Sequence, residues 1–423
     1  MRRTARTTFL TTLVAGGALA LTACGGGSGF DDEPTDAATG DAGGDAGGGE
    51  ISVLIGSSGD AETDAVNAAV DAWSQESGTP ASVTVAADLN QELAQGFAAG
   101  SPPDLFYAST DQLAGWVANG SLYAYGDQLS NAGDFYPSLV ENFTVDGEFY
   151  CAPKDFSTLA LVINTAAWEA AGLTDADVPT DWDGLRSAAE ALTTEDQVGL
   201  SFGPEYQRVG TFMAQAGGGL IAEDGTTAIV DSPENLEALT FVQEMLVDGV
   251  LAFPSEVDSG WGGEAFGSGR AAMTIEGNWI IGAMNADYPD ASYTIVPLPA
   301  GPAGEATLQF TNCWGIAADS DNQEQAMQLV EYLTTPEQQM AFAEAFGVMP
   351  SVESAAEDFR STFPEQAAFI DSADFAGGMP TVQGTSDVIA DMNGQIEGLE
   401  SADVQGLLAS VQTNMQAALD SAG

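Results

Sequence analysis

The 423-residue chain contains no histidine, three cysteines, and only eight lysines and arginines against 63 aspartates and glutamates, so its formal net charge is −55. The lack of histidine excludes triads, proton relays and zinc sites that depend on an imidazole. The lack of cations excludes a nucleic-acid-binding surface, which needs a positively charged footprint. We predict no metal site and no other cofactor.

Long apolar runs are also absent, since the longest stretch, Phe9–Leu21, is too short to span a bilayer. Apolar residues nevertheless make up 44% of the chain, which is enough to build hydrophobic cores and excludes a wholly disordered protein. Hydrophobic cores stop growing near ~250–300 residues, so a chain of this length predicts two lobes.

The first 23 residues have the basic start, apolar middle and small-residue end of a signal peptide. Their junction with the rest of the chain, Leu-Thr-Ala-Cys ending at Cys24, resembles the lipobox of bacterial lipoproteins. This resemblance implies that Cys24 carries lipid and anchors the chain to the outer face of the cell membrane. An ordinary secretory signal followed by a chance cysteine remains the alternative.

Glycine, aspartate and alanine dominate residues 24–49, which contain almost no large apolar side chain. Such a segment cannot bury enough surface to offset its ordering entropy, so we predict a flexible, charged tether. Beyond it, Cys151 and Cys313 are the two remaining cysteines, and disulfides persist outside the cytoplasm. We expect them to pair, the alternative being two buried thiols.

Strand and helix patterns alternate from residue 50 onwards. Residues 50–55 form an apolar strand, and apolar positions from Ala65 to Trp73 then recur at helical spacing. A second strand at 81–85, a helix near 91–99 and a strand at 105–107 follow. This alternation is typical of an α/β fold with a parallel sheet, whose ligand crevices lie at the carboxyl ends of the strands.

Capping signals mark the later helices. Ser232 followed by proline predicts a helix start, and Gly249 predicts its end. Thr335 and Gln338 have the spacing of a capping box, and residues 180–183 follow the same logic. We find no fixed-period repeat, which excludes solenoids and propellers.

Several sequence blocks, taken in order, resemble the extracellular solute-binding proteins of ABC importers, specifically the family that carries sugars such as maltose and trehalose. The blocks are Gly100–Phe106, Tyr150–Leu161, Gly269–Trp279, Pro297–Pro302, Trp314–Ile316 and Tyr332–Gln338. The resemblance implies two α/β lobes joined by crossing segments, with a ligand cleft between them and hinge closure. It places lobe 1 at 50–155 plus 313–355 and lobe 2 at 156–312 plus 356–423.

The resemblance also places Cys151 and Cys313 on neighbouring crossing strands, where a disulfide would fix the hinge. A sugar needs flat aromatic surfaces for its C–H faces and short polar side chains for its hydroxyls. The candidate ligand-binding residues are Ser57, Ser58, Asp60, Asp111, Asp155, Ser157, Tyr206, Trp261, Asn278, Trp279 and Trp314.

The reasons for these candidates differ. Trp279 stands where the family has a stacking aromatic residue, whereas Trp314 is compatible with cleft wall or hinge packing. Asp111 follows a strand-end loop that the family directs into the cleft, and a helix-capping role is compatible with that. Lys154, the only lysine in the sequence, either has a specific role or simply pairs with Asp155. Helical spacing favours core packing for three other tryptophans, Trp73, Trp116 and Trp168.

The expected function is a monomeric, lipid-anchored receptor that binds a sugar or small oligosaccharide and delivers it to a membrane permease, without catalysis. A binder of a cationic solute such as a polyamine is the alternative, because some of the many acidic groups could line the cleft. A secreted carbohydrate-active enzyme and an adhesive lipoprotein are weaker alternatives, since no carboxylate pair stands apart from the others. The charge itself suggests a surface adapted to saline surroundings.

Overall fold

The computed structural model describes residues 49–222 and 224–422. The predicted signal peptide, the lipidation site Cys24 and nearly all of the predicted tether lie outside the described residues. Within the described part of the chain, no helix combines the length and the apolar character that crossing a membrane requires.

One large mixed sheet organises the fold. The strands of the described chain are β1 (Ile51–Ile55), β2 (Ala81–Val85), β3 (Leu105–Ser109), β4 (Thr144–Val145), β5 (Glu148–Phe149), β6 (Ala152–Asn164), β7 (Val198–Ser201), β8 (Leu251–Ala252), β9 (Ala271–Gly277), β10 (Tyr293–Val296), β11 (Thr307–Ile316) and β12 (Ala376–Gly377).

Helices cover the sheet. Those of the described chain are α1 (Asp60–Ser77), α2 (Leu89–Ala99), α3 (Thr110–Ala118), α4 (Pro137–Asn142), α5 (Thr165–Ala170), α6 (Trp182–Leu192), α7 (Tyr206–Gln215), α8 (Pro233–Val247), α9 (Gly262–Gly267), α10 (Trp279–Asp287), α11 (Gln323–Leu333), α12 (Pro336–Phe346), α13 (Ala356–Thr362), α14 (Ala367–Asp371), α15 (Thr385–Ile396) and α16 (Val404–Ala422). The predicted strand at 81–85 and the predicted helix start at Ser232 are both confirmed.

The strand order is β2-β1-β3-β11-β6-β9-β7-β8, with β10 paired to β6 and β12 paired to β11. The expectation of a purely parallel sheet is wrong, because β11 runs antiparallel to both β3 and β6, and β6 runs antiparallel to β9. β6 pairs with β11 along its first half and with β9 along its second half. These two long strands therefore connect the two parts of the sheet.

The buried apolar side chains of the described residues form two large clusters, a smaller third one and a small fourth one beside β9. One large cluster surrounds β1, β3, the start of β6 with Cys151 just before it, and the end of β11 that contains Cys313. The other surrounds β7, β9 and α8 and includes the C-terminal helices α15 and α16. The third contains Phe156, Phe266 and Phe359. Two cores joined by two crossing strands make a two-lobe α/β architecture, while the residue limits given above for the lobes stay a prediction.

Helix caps follow the local sequence. The Ser232 side chain accepts a hydrogen bond from the Asn235 amide, and the Thr335 side chain accepts one from the Gln338 amide. The second hydrogen bond of the expected capping box, in which the Gln338 side chain accepts from the Thr335 amide, is wrong. The Gln338 side chain donates instead to the Tyr332 hydroxyl at 3.2 Å. The three tryptophans expected in the core, Trp73, Trp116 and Trp168, are all buried.

Candidate functional site

A cavity of about 430 Å³ opens between the two large cores, beside the crossing strands β6 and β11. We call it the cleft cavity. Its walls come from the β1–α1 turn, both crossing strands, the β9–α10 junction and the segment after α12. The sequence-derived candidates that line it are Ser58, Asp155, Ser157, Asn278 and Trp279.

Trp279 presents its indole to this cavity. The side chain is 39% exposed, which makes it one of three large apolar residues left open to solvent in the described chain. The indole meets the Phe310 ring edge-on, with centroids 5.4 Å apart, and donates from Nε1 to Glu276 at 3.0 Å. It also lies against Gly277, where a Cβ atom would come within 2.2 Å of the ring. Phe310, Glu276 and Gly277 thus hold the indole in place.

Amide and hydroxyl groups surround this aromatic surface. The backbone amide of Asn278 donates to the Ser157 hydroxyl at 3.2 Å, and the Asn278 side chain donates to the Gly347 carbonyl at 2.6 Å. Asn142 and Asn312 also line the cavity, Asn142 almost fully buried and Asn312 half-buried. Polar side chains thus accompany the indole in the cavity wall.

A buried charge cluster closes the end of the cavity on the β1 side. The Lys154 ammonium contacts Asp155 and lies 3.2 Å from Glu62, and all three side chains are almost fully buried. The Tyr107 hydroxyl donates to Glu62 at 3.0 Å, and the Tyr107 ring lies 4.5 Å below the ammonium.

Burial opposes the charged form at both ends of this ion pair, and the neighbouring groups outweigh it at both. Burial opposes the charged form of Lys154, but Asp155 and Glu62 outweigh it and raise the lysine pKa. Burial likewise favours protonated Glu62, yet Lys154 and hydrogen bonds from Ser58 and Tyr107 keep its pKa below the ordinary value. Both groups are therefore charged at neutral pH. Lys154 does pair with Asp155, and it also reaches Glu62.

Three candidates near the cavity do not line it. The Ser57 hydroxyl donates to the Gly59 carbonyl at 2.7 Å and so closes the β1–α1 turn. Asp60 and Asp111 are exposed in the first turns of α1 and α3. The capping alternative for Asp111 is wrong, because the N-cap of α3 is Ser109. A carboxylate in the first turn of a helix still interacts favourably with the helix dipole.

Two aromatic candidates lie in the cores and not in the cleft cavity. Tyr206 begins α7, is 5% exposed, and packs against Gly210 within the β7–β9 core. Trp314 is 1% exposed and meets the Tyr107 ring edge-on at 4.8 Å. The structure therefore corrects the expectation for Tyr206 and selects core packing for Trp314.

Trp261 lines a different cavity, of about 410 Å³, at the carboxyl ends of β7, β8 and β9. We call it the side cavity. Arg208 and Glu276 form part of its lining. Both also contact Trp279, since the Arg208 guanidinium lies 5.5 Å from the indole centroid. Trp279 and Glu276 thus stand between the side cavity and the cleft cavity.

The sequence did not predict several residues that line the cleft cavity. They are Glu62, Asn142, Gln309, Phe310, Asn312 and Phe346. Most lie on β11 or on helix ends that reach the cleft cavity only after the strands cross. Phe310 and Asn312 could have been predicted to line the cavity, because they stand just before Cys313, which the resemblance places on a crossing strand.

The two cysteines join the adjacent crossing strands, since Cys151 lies directly before β6 and Cys313 lies on β11. Cys151 and Cys313 form a disulfide with Cα atoms 5.6 Å apart, next to a register shift between Asn312 and Cys313. In the part of the chain that the structure describes, no group of three or more Cys, Asp or Glu side chains is arranged to hold a metal ion.

Comparison with known proteins agrees with this architecture. A family model described as bacterial extracellular solute-binding protein matches residues 68–369. A binding protein of Brucella abortus (strain 2308) is 24% identical over 315 residues, covering 71% of this chain and 75% of the relative.

Two solved structures share the fold. The cyclic alpha-maltosyl-1,6-maltose binding protein from Arthrobacter globiformis superposes with a TM-score of 0.80 at 22% identity, covering 89% of this chain and 100% of that chain. The sugar-binding protein MalE from Xanthomonas citri gives a TM-score of 0.79 at 18% identity, covering 88% and 98%.

Two α/β lobes, two crossing strands and a lined cavity between the cores define a two-lobe ligand-binding protein. With the family model matched over most of its length, the chain belongs to the bacterial extracellular solute-binding proteins.

Proposed function

We propose that this chain is the receptor subunit of an ABC importer and binds a sugar or small oligosaccharide in the cleft cavity. The observation that carries the proposal is the exposed Trp279 indole, held by Phe310 and Glu276 in a cavity also lined by asparagine side chains. An indole face suits the C–H face of a sugar ring, and amides both donate to and accept from hydroxyls. Both relatives of known structure named above carry a sugar in their names.

The ligand closes the two lobes only by the amount that it binds better to the closed form than to the open form. Asn278, in the proposed lobe 2, and Gly347, in the proposed lobe 1, both line the cleft cavity and hydrogen-bond at 2.6 Å. A sugar that contacts Ser58 and Trp279 together adds to this closure. The lobe limits proposed from the sequence, with crossings near residues 155 and 313, describe the two moving bodies.

A thermal-shift screen of the mature chain tests the proposal. The panel contains neutral mono- and disaccharides, polyols, amino acids and the polyamine spermidine, all in high salt. A ligand that binds only the native state adds about 3–4 kcal/mol at 100 to 1,000 times its dissociation constant, so a bound sugar raises the melting temperature measurably. A shift with spermidine and with no saccharide would contradict the proposal and favour the cationic-solute alternative, for which Glu62 and Asp155 provide carboxylates.

We further propose that the solute leaves the protein unchanged and that Cys24 anchors the chain outside the cell membrane, next to its permease. Chromatography of a saccharide after incubation with the protein checks the first point, because an enzyme would convert it. Radiolabelled palmitate checks the second. The wild type should incorporate the label and sediment with membranes, whereas Cys24→Ala should do neither.

A further inference from the structure

Arg208 on α7 supports the Trp279 indole from outside the cleft cavity. Its guanidinium lies over the indole ring, 5.5 Å from the ring centroid, and its side chain is mostly buried. Trp279 lines the cleft cavity, whereas Arg208 lines the side cavity. A solute in the cleft cavity therefore meets the indole and not the guanidinium.

Two hydrogen bonds to β9 fix the guanidinium. Nη2 donates to Oε2 of Glu276 at 2.6 Å, and Nε donates to the Ile275 carbonyl at 3.3 Å. Both acceptors lie on β9, shortly before Trp279 at the start of α10. A planar guanidinium with two donors engaged keeps one orientation, which a flexible lysine ammonium does not. Arg208 is thus a fixed support beside the indole.

Glu276 connects the guanidinium to the indole. Its Oε2 atom accepts from Nη2 of Arg208 and also from Nε1 of Trp279, at 3.0 Å. Glu276 is 1% exposed, and this burial raises the pKa of its carboxyl, while Arg208 opposes the increase. Arg208 therefore favours the ionised carboxylate, which accepts a stronger hydrogen bond from the indole than a neutral acid does.

One arginine thus restrains the indole in two ways. Its guanidinium attracts the ring face directly, as a cation above an indole does. It also stabilises the carboxylate that fixes Nε1 of Trp279. Without Arg208 both restraints weaken and the indole samples more orientations, so a sugar that stacks on it loses more entropy on binding.

We propose that Arg208 is a positioning residue for the saccharide. It holds the Trp279 indole at the wall of the cleft cavity through the ring face and through Glu276, and so it sets the affinity for a sugar that it does not contact. This inference rests on the proposed function, which places the sugar on Trp279.

A double-mutant cycle tests this inference. Arg208→Met and Trp279→Ala are made singly and together, and calorimetry measures the dissociation constant for maltose and trehalose, or for whichever saccharide of the thermal-shift panel binds the wild type. Arg208→Met alone should weaken binding about fivefold to tenfold, the size of a lost cation–π contact and a weakened hydrogen bond. In the Trp279→Ala background the same substitution should change the affinity by less than about twofold, because its effect passes through the indole.

Arg186→Met is the matched control. Arg186 also lies over an aromatic ring, 5.4 Å from the Phe241 centroid, and also pairs with carboxylates. Neither Arg186 nor Phe241 lines the cleft cavity, so this variant should keep the affinity of the wild type.

Arg208→Lys keeps a positive charge beside Glu276 and therefore protects the fold where Arg208→Met loses it. Lysine lacks the planar guanidinium, so this variant should bind about threefold more weakly than the wild type and more tightly than Arg208→Met. Its loss should likewise vanish in the Trp279→Ala background. Melting temperatures verify that each variant is folded at the temperature of the titration, and the lysine pair decides the test if the methionine variant is not.

The outcomes separate the two proposals. Affinity equal to that of the wild type in the Arg208 variants overturns this inference alone. An equal loss of affinity with and without the Trp279 indole also overturns it, because Arg208 then acts on the fold and not through Trp279. Binding of no saccharide in the panel by the wild type overturns the proposed function, and this inference with it.

Discussion

Trp279 is exposed because of the residues beside it. Gly277 leaves room for the indole, and Glu276 fixes its Nε1 atom, so the ring cannot fold back into the core without losing that hydrogen bond. The side chain is therefore held in one orientation by its neighbours, which reduces the entropy lost if a sugar stacks on it.

Replacing Trp279 with alanine removes this surface. We expect Trp279→Ala to weaken saccharide binding by roughly 10–100-fold, about 1.4–2.8 kcal/mol, because the stacking surface is lost. Trp279→Phe retains an aromatic face and should lose less. Calorimetry of both variants with the saccharide found in the screen measures the difference. Equal affinity of Trp279→Ala and wild type would contradict the placement of the sugar on this indole.

Lys154 is the buried cation of the cleft cavity, and its loss leaves two buried carboxylates unpaired. We expect Lys154→Met to destabilise the fold by about 3–5 kcal/mol at neutral pH. Arg186→Met provides the control, because Arg186 pairs with Glu244 and Asp248 at the surface and should cost no more than about 1 kcal/mol. Urea denaturation measures both values.

The stability lost in Lys154→Met should depend on pH in a definite direction. The pKa of Glu62 is lower in the folded chain than its ordinary value, so the stability that Glu62 contributes is present at neutral pH and is lost as the pH falls below about 4. Without Lys154, burial dominates and raises that pKa, so protonation then relieves the unpaired charge. The stability gap between wild type and Lys154→Met should therefore narrow on acidification. A gap that stays constant from pH 7 to pH 4 would contradict this ion pair.

At the scale of elements, the crossing strands β6 and β11 determine where the cleft cavity lies. Their contact is reinforced by the disulfide between Cys151 and Cys313, which closes a loop spanning 162 positions of sequence. In the chain-entropy account, a loop of that length corresponds to about 4–5 kcal/mol of stability.

Reduction of the disulfide tests this contribution. We expect dithiothreitol to lower the unfolding free energy of the mature chain by about 4–5 kcal/mol, or somewhat less because the reduced state keeps residual structure. The double variant Cys151→Ser, Cys313→Ser should show the same loss and no response to dithiothreitol. Unchanged stability on reduction, with free thiols verified by titration, would contradict a structural role for the bond.

Local sequence predicted the elements better than it predicted the cleft cavity. The Ser232 cap and the strand at 81–85 depend on neighbouring residues, and the structure contains both. Whether the Trp314 side chain faces the cleft or the core depends on its position along β11. A register shift between Asn312 and Cys313 changes the alternation of side chains along that strand. Tyr206 lies in the first turn of α7, on the side of that helix that packs into the core. These side-chain directions follow from how the strands cross in the fold, and the spacing of residues in the sequence does not predict them.

At the scale of the whole molecule, the net charge of −55 dominates the electrostatics. Like charges repel across the compact state, and salt screens that repulsion over a Debye length of about 10 Å at 0.1 M and 3 Å at 1 M. Because the described ion pairs are few, little of this repulsion is offset locally.

The melting temperature should therefore rise with salt. We expect a clear increase between about 0.05 M and 1 M sodium chloride, and the same increase with choline chloride if screening is the cause. Differential scanning calorimetry measures both series. A melting temperature that does not change with salt would argue against surface repulsion as a limit on stability.

The central claim is that the cleft between the lobes binds a saccharide. Calorimetric titration of the mature chain with neutral disaccharides, in high salt and with spermidine as the comparison, tests it most directly. The account predicts saturable binding of a saccharide at one site per chain and no saturable binding of spermidine at a single site. Saturable binding of spermidine together with no binding of any saccharide would contradict it.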